Sequence, residues 1–273
     1  MHYVTTKRAT KWSKLALLAA GVLAITGATI SPSYAANDTE IYIVQGIPGN
    51  ELDVAIDGES VAEAVKTAAV AGPFGVKPGS HTVTFSNNGT QILENTFSVK
   101  KGFKADVVAH LPAPAEDPNA AKACTTPVGD YCPEVTVYKY DPIMVPKDKA
   151  RLVVSHVAAV PPADIRVNDQ VLFANIANGE ALWLLVPVAT YKVSIVPTGK
   201  TEPVFFGPVS LTVKGGAFNR VYAVGDPEQK TMNVAVHVIA AKSTGSGKPS
   251  EVNTGTGGQA NGDGPSLAAD LVH

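Results

Sequence analysis

The sequence predicts an all-β protein built from two tandem antiparallel β-sandwich modules, with a signal peptide before them and a disordered tail after them. Three observations predict this fold class. Short segments alternate apolar and polar side chains, which is the period of a half-buried strand. The composition is rich in turn formers, with 24 glycines and 20 prolines, and only 17% of the residues are charged. One arrangement of strands and turns also occurs twice, about 110 residues apart.

Residues 1–35 have the features of a secretory signal peptide. Four basic side chains and no acidic one lie in residues 1–14, and an apolar run of about 16 residues follows. Ser33, Tyr34 and Ala35 then form the small-x-small pattern that signal peptidases recognise, so cleavage is predicted between Ala35 and Ala36. The run is short for a membrane-spanning helix, so no stable membrane insertion is expected after cleavage. The protein is therefore expected to be secreted or associated with the cell envelope.

Cleavage would make the net charge more negative. The chain carries 22 basic and 24 acidic residues, and the loss of four basic residues changes a formal net charge of −2 to about −6. Binding to nucleic acid requires a clustered basic surface. This charge gives no support to such a role, and no nucleic-acid partner is expected.

Each predicted module opens with a pair of strands joined by a bend. Residues 41–58 read IYIVQGIPGNELDVAIDG, and residues 151–169 read RLVVSHVAAVPPADIRVND. Asp57-Gly58 and Asn168-Asp169 follow the second strand of each pair, and these residue types favour tight turns. Asp53 and Asp164 take equivalent places in the two copies. The pattern favours a carboxylate that bonds to nearby backbone over a ligand-binding role.

The remaining strands follow in the same order in both modules. Module one is predicted at 37–146 and module two at 147–241, and about 240 residues suffice for two ordinary domains. The further strands of module one are predicted at 80–86, 91–99, 103–111 and 134–140, and their counterparts at 191–196, 209–213, 218–224 and 234–239. The best helix candidate, ESVAEAVK at 59–66, is only two turns long. Residues 242–273 are Gly- and Ser-rich and are predicted to form a disordered tail, where short glycine motifs match nucleotide-binding patterns by composition alone.

Cys124 and Cys132 are the two cysteines of the chain and flank the segment TTPVGDY. In an exported protein a lone close pair predicts a disulfide, which would stabilise this loop by about 2 to 3 kcal/mol in the chain-entropy model. The alternative is a redox-active pair or a metal site. It is disfavoured because the pair has neither the Cys-x-x-Cys spacing nor nearby histidine ligands.

The folded part contains four histidines: His81, His110, His156 and His237. His110 ends a strand of module one and His156 lies on the opening strand of module two, so the two could approach each other across a module interface. A metal site would need a third ligand at a fixed spacing, and none is evident, so hydrogen-bonded structural histidines are favoured. We also find no nucleophile elbow, zincin helix or Cys/His pattern. We therefore expect no catalytic, cofactor-binding or metal-binding residues, although catalysis built from loops and an isopeptide bond both stay open.

Four segments together resemble exported bacterial proteins of the DUF4397 family, whose function is unknown. They are RLVVSHVAAVPPADIRVND, VPVATYKVSIVPTG, FNRVYAVGDPEQKTMNVAVHVI and TGTGGQA, and the first copy is similar to the leading unit of the same family. The resemblance implies Ig-like β-sandwich modules and a cell-envelope or extracellular setting, with no established activity. Two positions depart from the family pattern: Gln45 stands where His156 stands in the second copy, and Ala189 replaces a turn glycine.

These observations lead to one main hypothesis and two alternatives. The main hypothesis is a secreted, non-enzymatic structural or binding module whose partner is an unknown extracellular or cell-wall ligand. The first alternative is a carbohydrate- or wall-polymer-binding module that uses Trp183, Tyr138 and Tyr140 as exposed aromatic side chains, against the favoured interpretation that Trp183 in ALWLLVP belongs to a core. The second alternative is a hydrolase with an active site built from loops.

Overall fold

The computed structural model describes residues 39–114, 124–140 and 143–241, and within these ranges the regular structure is entirely β. Module one contains β1 Glu40–Gln45, β2 Leu52–Ile56, β3 Glu59–Val65, β4 Val70–Gly75, β5 Gly79–Asn87, β6 Thr90–Val99, β7 Lys104–His110 and β8 Glu134–Lys139. Module two contains β9 Lys149–Ala158, β10 Ala163–Val167, β11 Gln170–Ile176, β12 Ala181–Pro187, β13 Thr190–Pro197, β14 Phe206–Thr212, β15 Ala217–Gly225 and β16 Asn233–Ala240. The predicted all-β class is confirmed, and the helix candidate at 59–66 forms β3 instead.

Several predictions concern residues outside the described ranges. They are the signal peptide, its cleavage site at Ala35 and Ala36, and the tail at 242–273. The predicted boundary between the modules, at 146/147, falls between β8 and β9. In the described part of the chain, no helix has the length and apolar character needed to span a membrane.

The two modules have the same topology. Module one pairs a sheet of order β4-β1-β7-β8 with a sheet of order β3-β2-β5-β6, and module two repeats this as β12-β9-β15-β16 and β11-β10-β13-β14. The predicted duplication is therefore present strand by strand. In each module one central pair is parallel, β1 with β7 and β9 with β15, whereas the remaining pairs are antiparallel. Parallel pairing is possible here because the chain passes through the opposite sheet between the two strands.

The duplicated aspartates hold equivalent turns. Asp53 accepts a hydrogen bond from the Ala64 amide at 2.9 Å, and Asp164 accepts one from the Asn175 amide at 2.8 Å. Ala64 and Asn175 both have a positive φ, at 50° and 53°. Each carboxylate therefore forms a hydrogen bond with a backbone amide whose residue departs from regular strand geometry. This confirms the interpretation of Asp53 and Asp164 as turn carboxylates.

Each sandwich encloses its own apolar core. In module one Ile41, Leu52, Phe85 and Val107 are almost completely buried between the two sheets, and Leu152, Ile165, Phe173 and Ile195 do the same in module two. This is the alternating inner face that the strand patterns predict. An apolar cavity of about 20 Å³ in the core of module two is too small for a ligand larger than water.

A third core joins the modules through the outer faces of two sheets. Val44 and Val108 of module one pack with Val157, Tyr222 and Val224 of module two, and the described residues of both modules belong to one compact unit. Strands at this interface are buried on both faces, and in β15 every residue is buried. This explains why β7 and β15 are nearly continuous apolar runs rather than alternating ones.

Gly46 marks how closely the modules approach. A Cβ atom at this position would lie 2.8 Å from the Ala109 carbonyl oxygen and 3.0 Å from Val224 Cγ1 of module two. Both distances are shorter than normal van der Waals contacts. A side chain at position 46 would therefore push the backbone of β7 or the facing module away.

Candidate ligand-binding cleft between the modules

An open cleft of about 400 Å³ lies where the two outer sheet faces diverge. Module one contributes Tyr138 and Tyr140, at the end of β8, and module two contributes side chains from β9, β12 and β15. The residues of module two that carry the argument below are Arg151, Trp183, Phe218 and Arg220. Because these four residues lie on β9, β12 and β15, their position is set by strand register rather than by loops.

The register places the module-two residues in two neighbouring rows. Arg151 is paired with Leu185 on β12 and with Phe218 on β15. In the next row Val153 is paired with Trp183 and with Arg220. Alternate residues of a strand point to the same face, so the cationic and aromatic side chains of both rows project together from the sheet.

Arg151 stacks on Trp183. Its guanidinium carbon lies 3.8 Å from the centroid of the indole ring and 5.2 Å from that of Phe218. Among the described residues, no carboxylate lies within ion-pair distance of Arg151, and its Nε is buried without a hydrogen-bond partner. Burial lowers the pKa of Arg151, and the positive charge of nearby Arg220 lowers it further. The cleft therefore contains a positive charge that the described part of the protein does not neutralise.

Trp183 is 53% exposed, although it lies in an apolar run. The interpretation that placed it in a core is therefore wrong. The reason is that β12 is an edge strand of its sheet, so only one face of ALWLLVP packs against the module core. Since Arg151 covers one face of the indole, the exposed fraction belongs to the remainder of the ring.

Tyr138 and Tyr140 are buried, with 9% and 8% exposure, so the suggestion that they are exposed aromatic side chains is wrong. The Tyr138 hydroxyl donates a hydrogen bond to the Gly179 carbonyl of module two at 2.9 Å and helps to join the modules. The Tyr140 hydroxyl is buried and has no hydrogen-bond partner among the described residues. Burial and the charge of Asp106 both raise the pKa of Tyr140, so its hydroxyl stays protonated and can donate a hydrogen bond.

A buried charge cluster lies behind the cleft. Asp106, which is fully buried, forms an ion pair with Arg220 Nε at 2.9 Å and a hydrogen bond with His237 Nδ1 at 3.0 Å, and it also accepts a hydrogen bond from the Tyr222 hydroxyl. The His237 ring in turn packs against Tyr42, with ring centroids 4.1 Å apart. Asp106 and Tyr42 belong to module one and the other three residues to module two, so the cluster fixes the relative position of the modules. Arg220 is neutralised by this carboxylate, whereas Arg151 is not.

His156 and Gln45 have the same structural role in the two modules. His156 Nδ1 accepts a hydrogen bond from the Ala158 amide at 3.3 Å, and its Nε2 donates to the Pro161 carbonyl at 3.2 Å. Gln45 Oε1 accepts from the Ile47 amide at 2.5 Å, and Gln45 Nε2 donates to the Asn50 carbonyl at 2.8 Å. The partners stand two and five residues further along the chain in both cases. The Gln45 amide thus makes the same two hydrogen bonds as the His156 imidazole, and His156 is a structural histidine.

His110 is also bonded on both ring nitrogens. Its Nδ1 bonds the Leu111 carbonyl at 2.9 Å and its Nε2 bonds the Thr136 hydroxyl at 2.8 Å. Burial lowers the pKa of both His110 and His156, and the proximity of His156 lowers that of His110 further. Each histidine therefore bonds partners within its own module. In the described residues, no group of three His, Cys, Asp or Glu side chains could hold a metal ion.

Cys124 and Cys132 form the predicted disulfide, with Cα atoms 5.6 Å apart. The loop between them contains a short bridge from Val128 to Tyr131, and a Cβ atom at Gly129 would lie 3.1 Å from Gln229 Nε2 of module two. Burial and the negative charge of Asp226 raise the pKa of Tyr131 to about 12. The disulfide loop therefore contacts both modules.

Sequence reasoning found Trp183 but missed Arg151, Arg220 and Asp106. The signal for the last two was present, because each is a charged residue inside a strand whose neighbouring residues are mostly apolar. Arg151 carried no such signal, since an arginine that opens a strand is ordinary. Asn219, a buried asparagine, bonds the backbone of Lys214 through both its Oδ1 and its Nδ2, so it does not serve an isopeptide bond.

A comparison with protein-family models gives a match. Residues 39–163 match the family model described as domain of unknown function DUF4397. The match covers β1 to β9 and ends at the first residue of β10, and the later strands of module two repeat the topology of the matched ones. A comparison with curated proteins finds no significant match. The chain is therefore a DUF4397 domain-containing protein, with the matched domain at residues 39–163.

Proposed function

We propose that this chain is an exported, non-catalytic binding protein of the bacterial cell envelope or exterior, whose ligand occupies the cleft between the two modules. The observation that carries the proposal is Trp183, which is 53% exposed beside a cleft of about 400 Å³. Exposed indole rings at the rim of a concave site are common in ligand binding, because they offer a large rigid apolar face. The interface between two domains is a common place for such sites.

Export is supported by the chain itself. Residues 1–35 carry the basic start, the apolar run and the cleavage pattern of a signal peptide. A stable disulfide between Cys124 and Cys132 fits an oxidising compartment. Intact mass of protein collected from culture medium tests this part: the expected species begins at Ala36 and gains two alkyl groups only after reduction, whereas an uncleaved species in the membrane fraction would contradict it.

The proposal contains no catalytic step. His110 and His156 are buried, and both ring nitrogens of each form hydrogen bonds with backbone or hydroxyl groups. Neither ring therefore has a nitrogen available to accept a proton from a substrate as a general base. His81 lies next to Asp57, with Nδ1 and Oδ2 2.6 Å apart, but its Nε2 faces the Lys77 carbonyl and not a nucleophile. The alternative of a hydrolase would gain support if purified protein turned over any substrate of an ester, glycoside and peptide panel.

A wall polymer or another glycan is the ligand class that Trp183 favours. Sugar rings have flat faces of C–H groups that pack on an aromatic ring. Sedimentation with purified bacterial cell walls tests the proposal: wild-type protein should sediment with the walls, and Trp183→Ala should stay in solution. Val209→Ala is the matched control, because Val209 is an exposed apolar residue, at 36%, on the far sheet of module two. Equal sedimentation of wild type and Trp183→Ala would overturn the cleft as the binding site.

A further inference from the structure

We propose that the cleft binds an acidic saccharide and that Arg151 receives the carboxylate of the sugar. This inference rests on the proposed function and adds to it the charge and the chemical class of the ligand. It starts from the difference between the two arginines of the cleft. Arg220 has Asp106 at 2.9 Å, whereas Arg151 has no carboxylate within ion-pair distance among the described residues.

An arginine without a counterion in a half-buried site attracts an anion. Repulsion from Arg220 adds to the unfavourable energy of the positive charge, and a bound anion would relieve it. The low dielectric of a cleft between two packed sheets strengthens an ion pair relative to one in open solvent. A site of this kind therefore favours a negatively charged ligand, and the shape of the ligand is a second, separate requirement.

The geometry of the guanidinium favours a carboxylate. Arg151 lies over the face of Trp183, with 3.8 Å from its guanidinium carbon to the ring centroid. A guanidinium in this position can still donate in its own plane through its two Nη groups to a planar carboxylate in a bidentate pair, whereas the Nε of Arg151 is buried.

The walls of the cleft favour a sugar over an acidic peptide or a free anion. Trp183, which is 53% exposed, offers a flat apolar surface next to the charge of Arg151. A uronate unit combines a carboxylate with a rigid ring whose C–H face matches such walls. A glutamate side chain brings the charge on a flexible stem, and inorganic phosphate has no apolar face, so neither would use the aromatic residues.

The sequence provides a direct probe of this site. The chain contains two tryptophans, Trp12 and Trp183, so Trp12→Phe leaves Trp183 as the sole source of tryptophan fluorescence. The full chain with Trp12→Phe is titrated with trigalacturonic acid, triglucuronic acid, the neutral methyl ester of each, triglutamate and inorganic phosphate. At least one uronate should change the fluorescence saturably and should bind less tightly as salt is added. Its methyl ester should bind about 10- to 100-fold more weakly, the range expected for loss of a charge-assisted hydrogen bond.

Variants assign the effect to Arg151. Arg151→Gln should weaken uronate binding about 10- to 100-fold, and Arg151→Lys, which keeps the charge but loses the planar fork, should give an intermediate value. Lys192→Gln is the matched control, since it removes one exposed positive charge on the far sheet and should leave binding unchanged. Thermal unfolding of each variant confirms that it is folded.

Three results would overturn the inference. The first is equal binding of a uronate and its methyl ester, which would leave the cleft as a binding site and remove only the role of charge. The second is binding of triglutamate or phosphate at least as tight as that of the uronates. The third is unchanged Trp183 fluorescence with every uronate. Failure of the proposed function itself is recognised separately, by equal sedimentation of wild type and Trp183→Ala with cell walls.

Discussion

Replacement of Asp106 by Asn tests whether the charge cluster holds the two modules together. Asn has nearly the same shape as Asp, but the change removes the negative charge and replaces one acceptor oxygen by an NH2 donor that faces other donors. Arg220, which is 3% exposed and 2.9 Å from the carboxylate, would then be a buried cation without a counterion. Breaking a buried ion pair in this way typically costs about 3 to 5 kcal/mol. Domains of this size have a free energy of unfolding of about 5 to 15 kcal/mol, so the loss should be large.

The assay is equilibrium unfolding in urea at pH 7, followed by circular dichroism and by Trp183 fluorescence. Circular dichroism reports on both sandwiches, whereas Trp183 reports on module two and the cleft. Asp106→Asn should lower the free energy of unfolding by about 3 to 5 kcal/mol. It should also separate the two transitions, because the cluster connects the modules.

Two further variants make the test specific. Tyr222→Phe removes one donor to the carboxylate and should cost about 1.5 to 3 kcal/mol, the value typical of a hydrogen bond to a charged group. Asp106→Asn combined with Arg220→Gln removes both charges and should cost less than the sum of the two single changes. A loss below about 1 kcal/mol for Asp106→Asn, or strict additivity in the double variant, would refute the reasoning.

Four other predictions follow from the same structure. His156→Gln should retain most of the stability that His156→Ala loses, because the amide reproduces both hydrogen bonds as Gln45 does; equal losses in urea unfolding would contradict this. Burial lowers the pKa of His156, so the native state binds fewer protons than the unfolded chain below about pH 6.5. The free energy of unfolding should therefore decline as the pH falls below about 6.5, and it should decline less steeply in His156→Gln. Equal declines in the wild type and His156→Gln would contradict the burial of His156. Gly46→Ala should cost about 1 to 3 kcal/mol, because its Cβ would meet the facing carbonyl oxygen, and an unchanged unfolding midpoint would contradict the close approach. Cys124→Ser with Cys132→Ser should lower stability by about 2 to 3 kcal/mol and make residues 124–132 more sensitive to protease while both sandwiches stay folded; unchanged proteolysis would show that the loop is held without the disulfide.

Local features of the fold could be predicted from the sequence because their causes are local. Alternating side chains define the strand faces, and the pairs Asp57-Gly58 and Asn168-Asp169 form turns with positive φ at both residues. The duplication could be recognised because the same local signals recur in the same order. Asp53 and Asp164 illustrate this, since each bonds an amide 11 residues further on.

The contact between the modules could not be predicted, because its partners are distant in sequence. Asp106 bonds Tyr222, 116 residues later, and His237, 131 residues later, and no spacing rule connects them. The mostly apolar segments of β7 and β15 are typical of strands buried on both faces, but the sequence analysis treated them as half-buried, and a segment alone does not show what covers its second face. Trp183 was misassigned for a related reason: an apolar run on an edge strand looks the same in sequence as one in a core.

The central claim is that the inter-module cleft is the binding site, and the indole N–H resonance of Trp183 tests it most directly. The chain with Trp12→Phe gives one indole signal in a ¹H–¹⁵N spectrum, and it can be titrated with solubilised cell-wall polymer while the backbone signals are recorded in the same spectra. The account predicts that the indole signal shifts saturably, together with amides of β9 and β12 that border the cleft. Saturable shifts elsewhere in the protein with an unmoved indole signal would contradict it.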